Sequence, residues 1–169
     1  MAGNQAPKLS KFEFNLTTGE ASWKVLIEDI NMEFPVIDQD LIGYKQRYAY
    51  LAVFKAKLPD DQVGRDNVFF DGVLKYDLFE EKIVGRINYK DTESAGEVFY
   101  YKKDGSNPNE DEDNGYLMSF VYDYKTDKSQ FLMWDAKTME QTPVLRADCQ
   151  TRVPNGFHTF FVQDDDLEE

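Results

Sequence analysis

Histidine is almost missing from this chain. His158, in the stretch Thr151-Arg-Val-Pro-Asn-Gly-Phe-His-Thr-Phe-Phe-Val162, is the only one among 169 residues. Imidazole is the commonest side-chain ligand for metals, yet one imidazole cannot hold a catalytic transition metal, which needs three or more protein ligands. Either His158 is an ordinary core residue, or most of the site it serves lies outside the chain. Cysteine is equally scarce: Cys149 stands alone, which excludes a disulfide framework and a Cys-rich metal site and suits a reducing compartment. Basic residues are outnumbered, 19 against 32 acidic, for a net charge of −13. Such a chain repels nucleic-acid phosphates and anionic membranes, so nucleic-acid binding is set aside. No stretch approaches the ~18 apolar residues of a membrane-spanning helix, and Met1-Ala-Gly-Asn-Gln-Ala-Pro-Lys8 lacks the apolar core of a signal peptide. The expectation is a soluble protein of a cytoplasmic or plastid-like reducing compartment.

What the chain does have is 41% apolar and 15% aromatic residues, enough for a proper core. Helical periodicity is weak. Short runs of aromatic and β-branched residues recur between Gly, Asp and Asn clusters, the mark of an all-β protein. The clearest strand candidates are 11–16, 22–27, 47–55, 73–78, 84–89, 97–102, 116–123, 130–135, 142–147 and 156–162. Two acidic runs, Asn109–Asn114 and Asp164–Glu169, read as a solvated loop and a frayed end. As a calcium loop the first fails, because Asn114 stands where the glycine belongs.

A repeat emerges when the sequence is laid against itself: Phe14-Asn-Leu-Thr-Thr-Gly-Glu20, Tyr76-Asp-Leu-Phe-Glu-Glu-Lys82 and Trp134-Asp-Ala-Lys-Thr-Met-Glu140. In each, an Asx side chain can satisfy turn amides while the preceding aromatic packs inward. The period of about 60 residues, with two hairpins per unit, fits propeller blades of about four strands. At most three units are present, too few to close a ring. The expected fold is therefore a partial β-propeller spanning 1–169, with loose termini at 1–10 and 163–169.

Three elements carry candidate chemistry: Met32-Glu-Phe-Pro-Val36, Gly96-Glu-Val-Phe-Tyr100 and Arg152-Val-Pro-Asn-Gly-Phe-His158. Alternation in the last would put His158, Phe160 and Val162 on one face and Phe157, Thr159 and Phe161 on the other. Glu33 and Glu97 sit within apolar strand sequence, where a carboxylate is rare unless paired; orienting metal-bound imidazoles would give them a reason to be there. Pattern alone leaves the plainer alternatives open, a core or surface histidine and two solvent-facing glutamates.

Taken together and in order, FEFNLTTG (12–19), EFPVID (33–38), GYKQRYAY (43–50), VLKYDL (73–78), GEVF (96–99), EDNGYLMSFVY (112–122), DAKTM (135–139) and Arg152–Phe161 resemble the C-terminal part of the carotenoid cleavage oxygenase family. The resemblance implies the last two to three blades of a seven-bladed propeller, with iron(II) on its axis held by four histidines, three of them backed by glutamates. His158 would then be the last iron ligand, and Glu33 and Glu97 two of the backing carboxylates. Two positions depart from the usual Val-Pro-Tyr-Gly-Phe-His-Gly or His-Ala pattern, Asn155 and Thr159. The implied substrates are an apolar polyene or stilbene and O2, split to two carbonyl products, and the N-terminal blades with the other three histidines would be required. A non-catalytic acidic β-repeat module, binding a partner through exposed blade edges, is the alternative.

Overall fold

The computed structural model describes residues 7–55, 70–107, 111–154, 156, 158–163 and 167. These residues form eleven strands: β1 (Ser10–Phe14), β2 (Ala21–Val25), β3 (Met32–Val36), β4 (Tyr48–Phe54), β5 (Phe70–Asp77), β6 (Lys82–Asn88), β7 (Glu93–Ala95), β8 (Phe99–Lys102), β9 (Gly115–Asp123), β10 (Lys128–Asp135) and β11 (Leu145–Asp148). Among the described residues there is no α-helix, only a single 3-10 turn at Gln39–Leu41. The all-β expectation holds.

Pairing divides the strands into units of four. β3, β4, β5 and β6 lie side by side, and β7 with β8, then β9, β10 and β11 form the next unit. All of these pairs are antiparallel, and the two units touch in the ladder only at Phe70 and Ala95. β1 and β2 form a separate hairpin, equivalent to the outer half of a preceding unit. This is the architecture of propeller blades, two complete and one half.

The repeated turns explain the period. Asn15, Asp77 and Asp135 each use the side-chain oxygen to accept the amides two and three residues on, at 2.8–3.1 Å. Four residues after each, the backbone turns left-handed, at Gly19, Glu81 and Met139. A fourth copy, at Asp123 with Asp127 left-handed, joins β9 to β10 and escapes the sequence comparison because it closes a different hairpin of the blade. Left-handed Glu, Asp and Met each carry a steric cost of about 1–2 kcal/mol. The Asx bonds help to offset it.

The Asp77 carboxylate is nearly inaccessible. Burial alone would raise its pKa, but the Glu80 and Phe79 amides and the Arg47 guanidinium, 2.8 Å away, outweigh burial and hold it below the usual value. Asp123 and Asp135 are lowered in the same way, against burial, by turn amides and, for Asp135, by Lys103. A folded pKa below the unfolded one gives stability that is full above the unfolded value, about 3.9 for Asp, and is lost as pH falls through the folded value. Half-buried Asp71 is shifted upward by its partial desolvation and works in the opposite sense. Glu81, held down by Lys24 and Lys11, joins the first set; with four groups against one, the thermal midpoint should be flat from pH 7 to 5 and fall steeply below pH 4. Asp77→Asn should flatten that fall and cost about 1.5–3 kcal/mol by urea titration at pH 7.

The core lies between blades. Tyr50, Val73, Ile87, Val98, Tyr100, Leu117 and Trp134 are buried together between the two complete units. The opposite face of β4 and β5 (Ala49, Leu51, Val53, Leu74, Tyr76) packs toward Leu9, Leu26 and Ile27 of the leading hairpin. Blade strands covered on both faces should be apolar in near-continuous runs, as Tyr-Leu-Ala-Val-Phe54 is.

Three expectations need correction. Among its described residues, 156–162 is not a strand: it joins no ladder, and the Thr159 amide goes instead to the Glu97 carboxylate. The acidic run is not a solvated loop: within its described part, Glu112 accepts the amides of Arg47 and Tyr48 at 2.7–3.0 Å and Asp113 pairs with buried Lys75 at 2.6 Å. β7 was not among the expected strands, being only three residues long, whereas β3 forms at the apolar strand sequence around Glu33 and runs through Pro35. Of the expected loose lead 1–10, residues 1–6 lie outside the described residues, while the Pro7 and Leu9 carbonyls accept backbone bonds from Met32 and Leu26. Of the expected loose end, Asp164–Asp166, Glu168 and Glu169 likewise lie outside.

Candidate functional site

Two bulges bring the candidate residues together. In β3 the register slips between Glu33 and Val36, with Phe34 at φ 52°. A bulky residue in the left-handed region is uncommon and strained. Here it drives the Phe34 ring into a cluster with Ala52, Phe54 and Phe70. The second bulge separates β7 from β8: Ala95 pairs Val121 and Phe99 pairs Met118, so four steps on one strand span three on the other. A bulge of this kind re-aims side chains, and this one carries Glu97.

The C-terminal segment then runs back across the second blade from its outermost strand to its innermost. The Cys149 amide donates to the Ser129 carbonyl and the Val153 amide to the Ser129 hydroxyl, each at 2.9 Å. Farther on, the Thr159 amide donates to Glu97 Oε2 at 2.8 Å. The Phe161 ring packs on Phe99 and Tyr101. Phe160 and Phe161 flank one apolar groove with Thr159, so the alternation expected of a strand is absent.

His158 lands at the junction. Its Nδ1 is 3.4 Å from Glu97 Oε2, and its ring meets the Phe34 ring edge-on at 5.4 Å. The first distance is longer than a well-formed hydrogen bond. A carboxylate beside Nδ1 favours the proton there, which makes Nε2 the nitrogen able to serve a metal. His158 is 70% exposed and Glu97 14%. Glu33 lines the same space, its Oε2 accepting the amide of the adjacent Phe34 at 3.3 Å. Glu33, Phe34, Pro35, Phe54, Phe70, Glu97 and His158 line one cavity of about 500 Å³.

Thus the structure places Glu33, Glu97 and His158 around one space. Sequence reasoning did not single out the three phenylalanines of the wall, the Thr159 amide or the bulges. Phe34 lies on β3, Phe54 on β4 and Phe70 on β5, and only the pairing of those strands brings the three together. Asn155 lies outside the described residues. Among the described residues no group of three His, Cys, Asp or Glu side chains is placed to hold a metal ion, and none forms a helix long and apolar enough to cross a membrane.

Comparison with known proteins gives one consistent result. Residues 2–163 match the family profile described as RPE65, retinal pigment epithelial membrane protein. The carotenoid 9,10(9',10')-cleavage dioxygenase 1 of Arabidopsis thaliana is 35% identical over 98% of this chain, and the Crocus sativus carotenoid 9,10(9',10')-cleavage dioxygenase is 33% identical over 95%. The chain spans only about 30% of the length of either. Cobalt-substituted Synechocystis ACO, an apocarotenoid oxygenase, superposes with a TM-score of 0.77 at 20% identity, covering 93% of this chain and 30% of that one. At that identity the likeness speaks for the fold, a β-propeller.

Proposed function

This chain belongs to the RPE65 and carotenoid cleavage dioxygenase family, and from that we propose that it is the C-terminal portion of a non-haem iron(II) dioxygenase. The reaction would split a conjugated alkene of carotenoid, apocarotenoid or stilbene type with O2 to give two carbonyl products. The observation that carries this reading is the convergence of the single imidazole and two strand glutamates on one aromatic-walled cavity. When bound, iron would supply the activation of O2 beside the alkene.

The residues present fit one position of such a centre. His158, with Glu97 beside Nδ1, would offer its Nε2, and Glu97 would serve behind it as an orienting group. Glu33, which lines the same cavity, would do the same for an imidazole from another blade. Phe34, Phe54 and Phe70 form an apolar wall that excludes water and suits a hydrocarbon chain. With one imidazole available, the other ligands would have to come from blades outside this sequence. The leading hairpin supports that: Phe12, Phe14 and Trp23 share one face and are 61–69% exposed, whereas Lys11 and Lys24 on the other face pair with Glu81. An apolar face of this kind is what a preceding blade would cover.

Ligand counting sets the test. The chain alone should hold far less than one iron per molecule and cleave no alkene, and joining it to the upstream blades of its parent should bring both to stoichiometric levels. Metal analysis and product chromatography check this. Stoichiometric iron with cleavage by the chain alone would overturn the reading, and a parent without further histidines would favour the binding-module alternative.

A further inference from the structure

The geometry points to Gly96 as a positioning residue for His158, acting through the backbone of Gly156. A Cβ built on Gly96 would stand 2.7 Å from the Gly156 carbonyl oxygen and 3.1 Å from its nitrogen. Real Cβ atoms do not approach backbone so closely, and backbone, unlike a flexible side chain, cannot turn aside. The Gly96 φ is ordinary, so glycine is needed here for close approach and not for a left-handed turn. The contact lies one residue before Glu97 in the bulge and two before His158 in the C-terminal segment.

The remaining bonds make the seat specific. Glu97 Oε2 receives the Thr159 amide at 2.8 Å, and Ser119 Oγ donates to the Glu97 carbonyl at 3.1 Å, fixing the bulge from beneath. Gly156 is itself constrained, since a Cβ there would meet the Thr159 methyl at 3.1 Å. Any side chain at Gly96 must lift the 156–159 segment away from the sheet. His158 then leaves both Glu97 and the edge of Phe34. This deepens the iron reading above, on which only its catalytic meaning rests; the seat itself exists whether or not a metal binds.

A chain with one histidine allows a direct test by NMR, because its ring signals need no assignment by elimination. The unmodified chain should show Overhauser contacts between Gly96 Hα and the Gly156 amide, and between the His158 and Phe34 rings. In Gly96→Ala both should vanish, and the Thr159 amide should exchange about ten- to hundredfold faster, the equivalent of losing one hydrogen bond to a charged acceptor. Amides of β9 and β10 should stay protected, which a merely global destabilisation would not allow. Absence of the Gly96–Gly156 contact in the unmodified chain would overturn the proposal even if the variant failed to fold. Retention of the His158–Phe34 contact in Gly96→Ala would overturn it as well. In the iron-loaded parent, loss of the contacts with unchanged iron content would leave the seat standing and refute His158 as ligand.

Discussion

Lys75→Met should destabilise the chain by about 3–5 kcal/mol, the range found when one partner of a buried ion pair is removed. Lys75 lies on β5 in the first complete blade and is 3% exposed. Its ammonium donates to Asp113 Oδ2 at 2.6 Å, to the Ala136 carbonyl at 2.9 Å and to the Lys137 carbonyl at 3.3 Å, all belonging to the second blade. Those are the three donors a lysine has, each with an acceptor. The ammonium also stands 4.4 Å from the Tyr48 ring centre. Methionine matches the stem and removes the charge, leaving the largely buried Asp113 carboxylate and two carbonyls without their donor. Against a typical total of about 5–15 kcal/mol, this is a large fraction.

The loss should be read as a shift in urea midpoint at constant slope, with a fall of about 10 °C in thermal midpoint for a chain of this size. Lys75→Met with Asp113→Leu should recover more than half of it, since an apolar pair of similar volume leaves no buried charge unpaired. A single variant costing under about 1 kcal/mol would show that the ammonium does not brace the blades.

The same residue shows where sequence reading stops. Each Asx turn is written within five residues, side-chain acceptor and amide donors together, so Asn15, Asp77 and Asp135 disclose hairpins and even the blade period. Asp113 and Lys75 are 38 residues apart, and nothing local tells the acidic run that an ammonium will meet it; a solvated loop is the natural reading of such a run. The 156–162 segment fails for a related reason. Its alternating aromatics look like a strand, but in the fold its polar backbone is met by the carboxylate of Glu97, far away in sequence. Glu33 and Glu97 could be suspected from their apolar neighbours. The bulges that bring them to one cavity depend on strand registers that only pairing fixes.

If His158 binds iron as proposed, Glu97→Ala in the complete protein should weaken metal retention about 10- to 100-fold, the usual consequence of removing a carboxylate behind a ligating imidazole. Glu97 has two tasks: its Oε2 lies 3.4 Å from His158 Nδ1 and accepts the Thr159 amide at 2.8 Å. Glu97→Gln keeps an oxygen for the amide while losing the charge that favours the Nδ1 proton, so its loss should fall toward the lower end of that range. Alanine removes both and releases the segment. Glu33→Ala makes the contrast: its carboxylate accepts the amide of the adjacent Phe34 and no hydrogen bond from His158, so on the proposed reading it should weaken iron by another route and leave the His158–Phe34 ring contact intact. Iron content after dialysis against a graded chelator measures the affinities, and the ring contact separates the two glutamates. Undiminished iron in Glu97→Ala would mean that His158 binds without a carboxylate behind it, and that Glu97 serves only the Thr159 backbone.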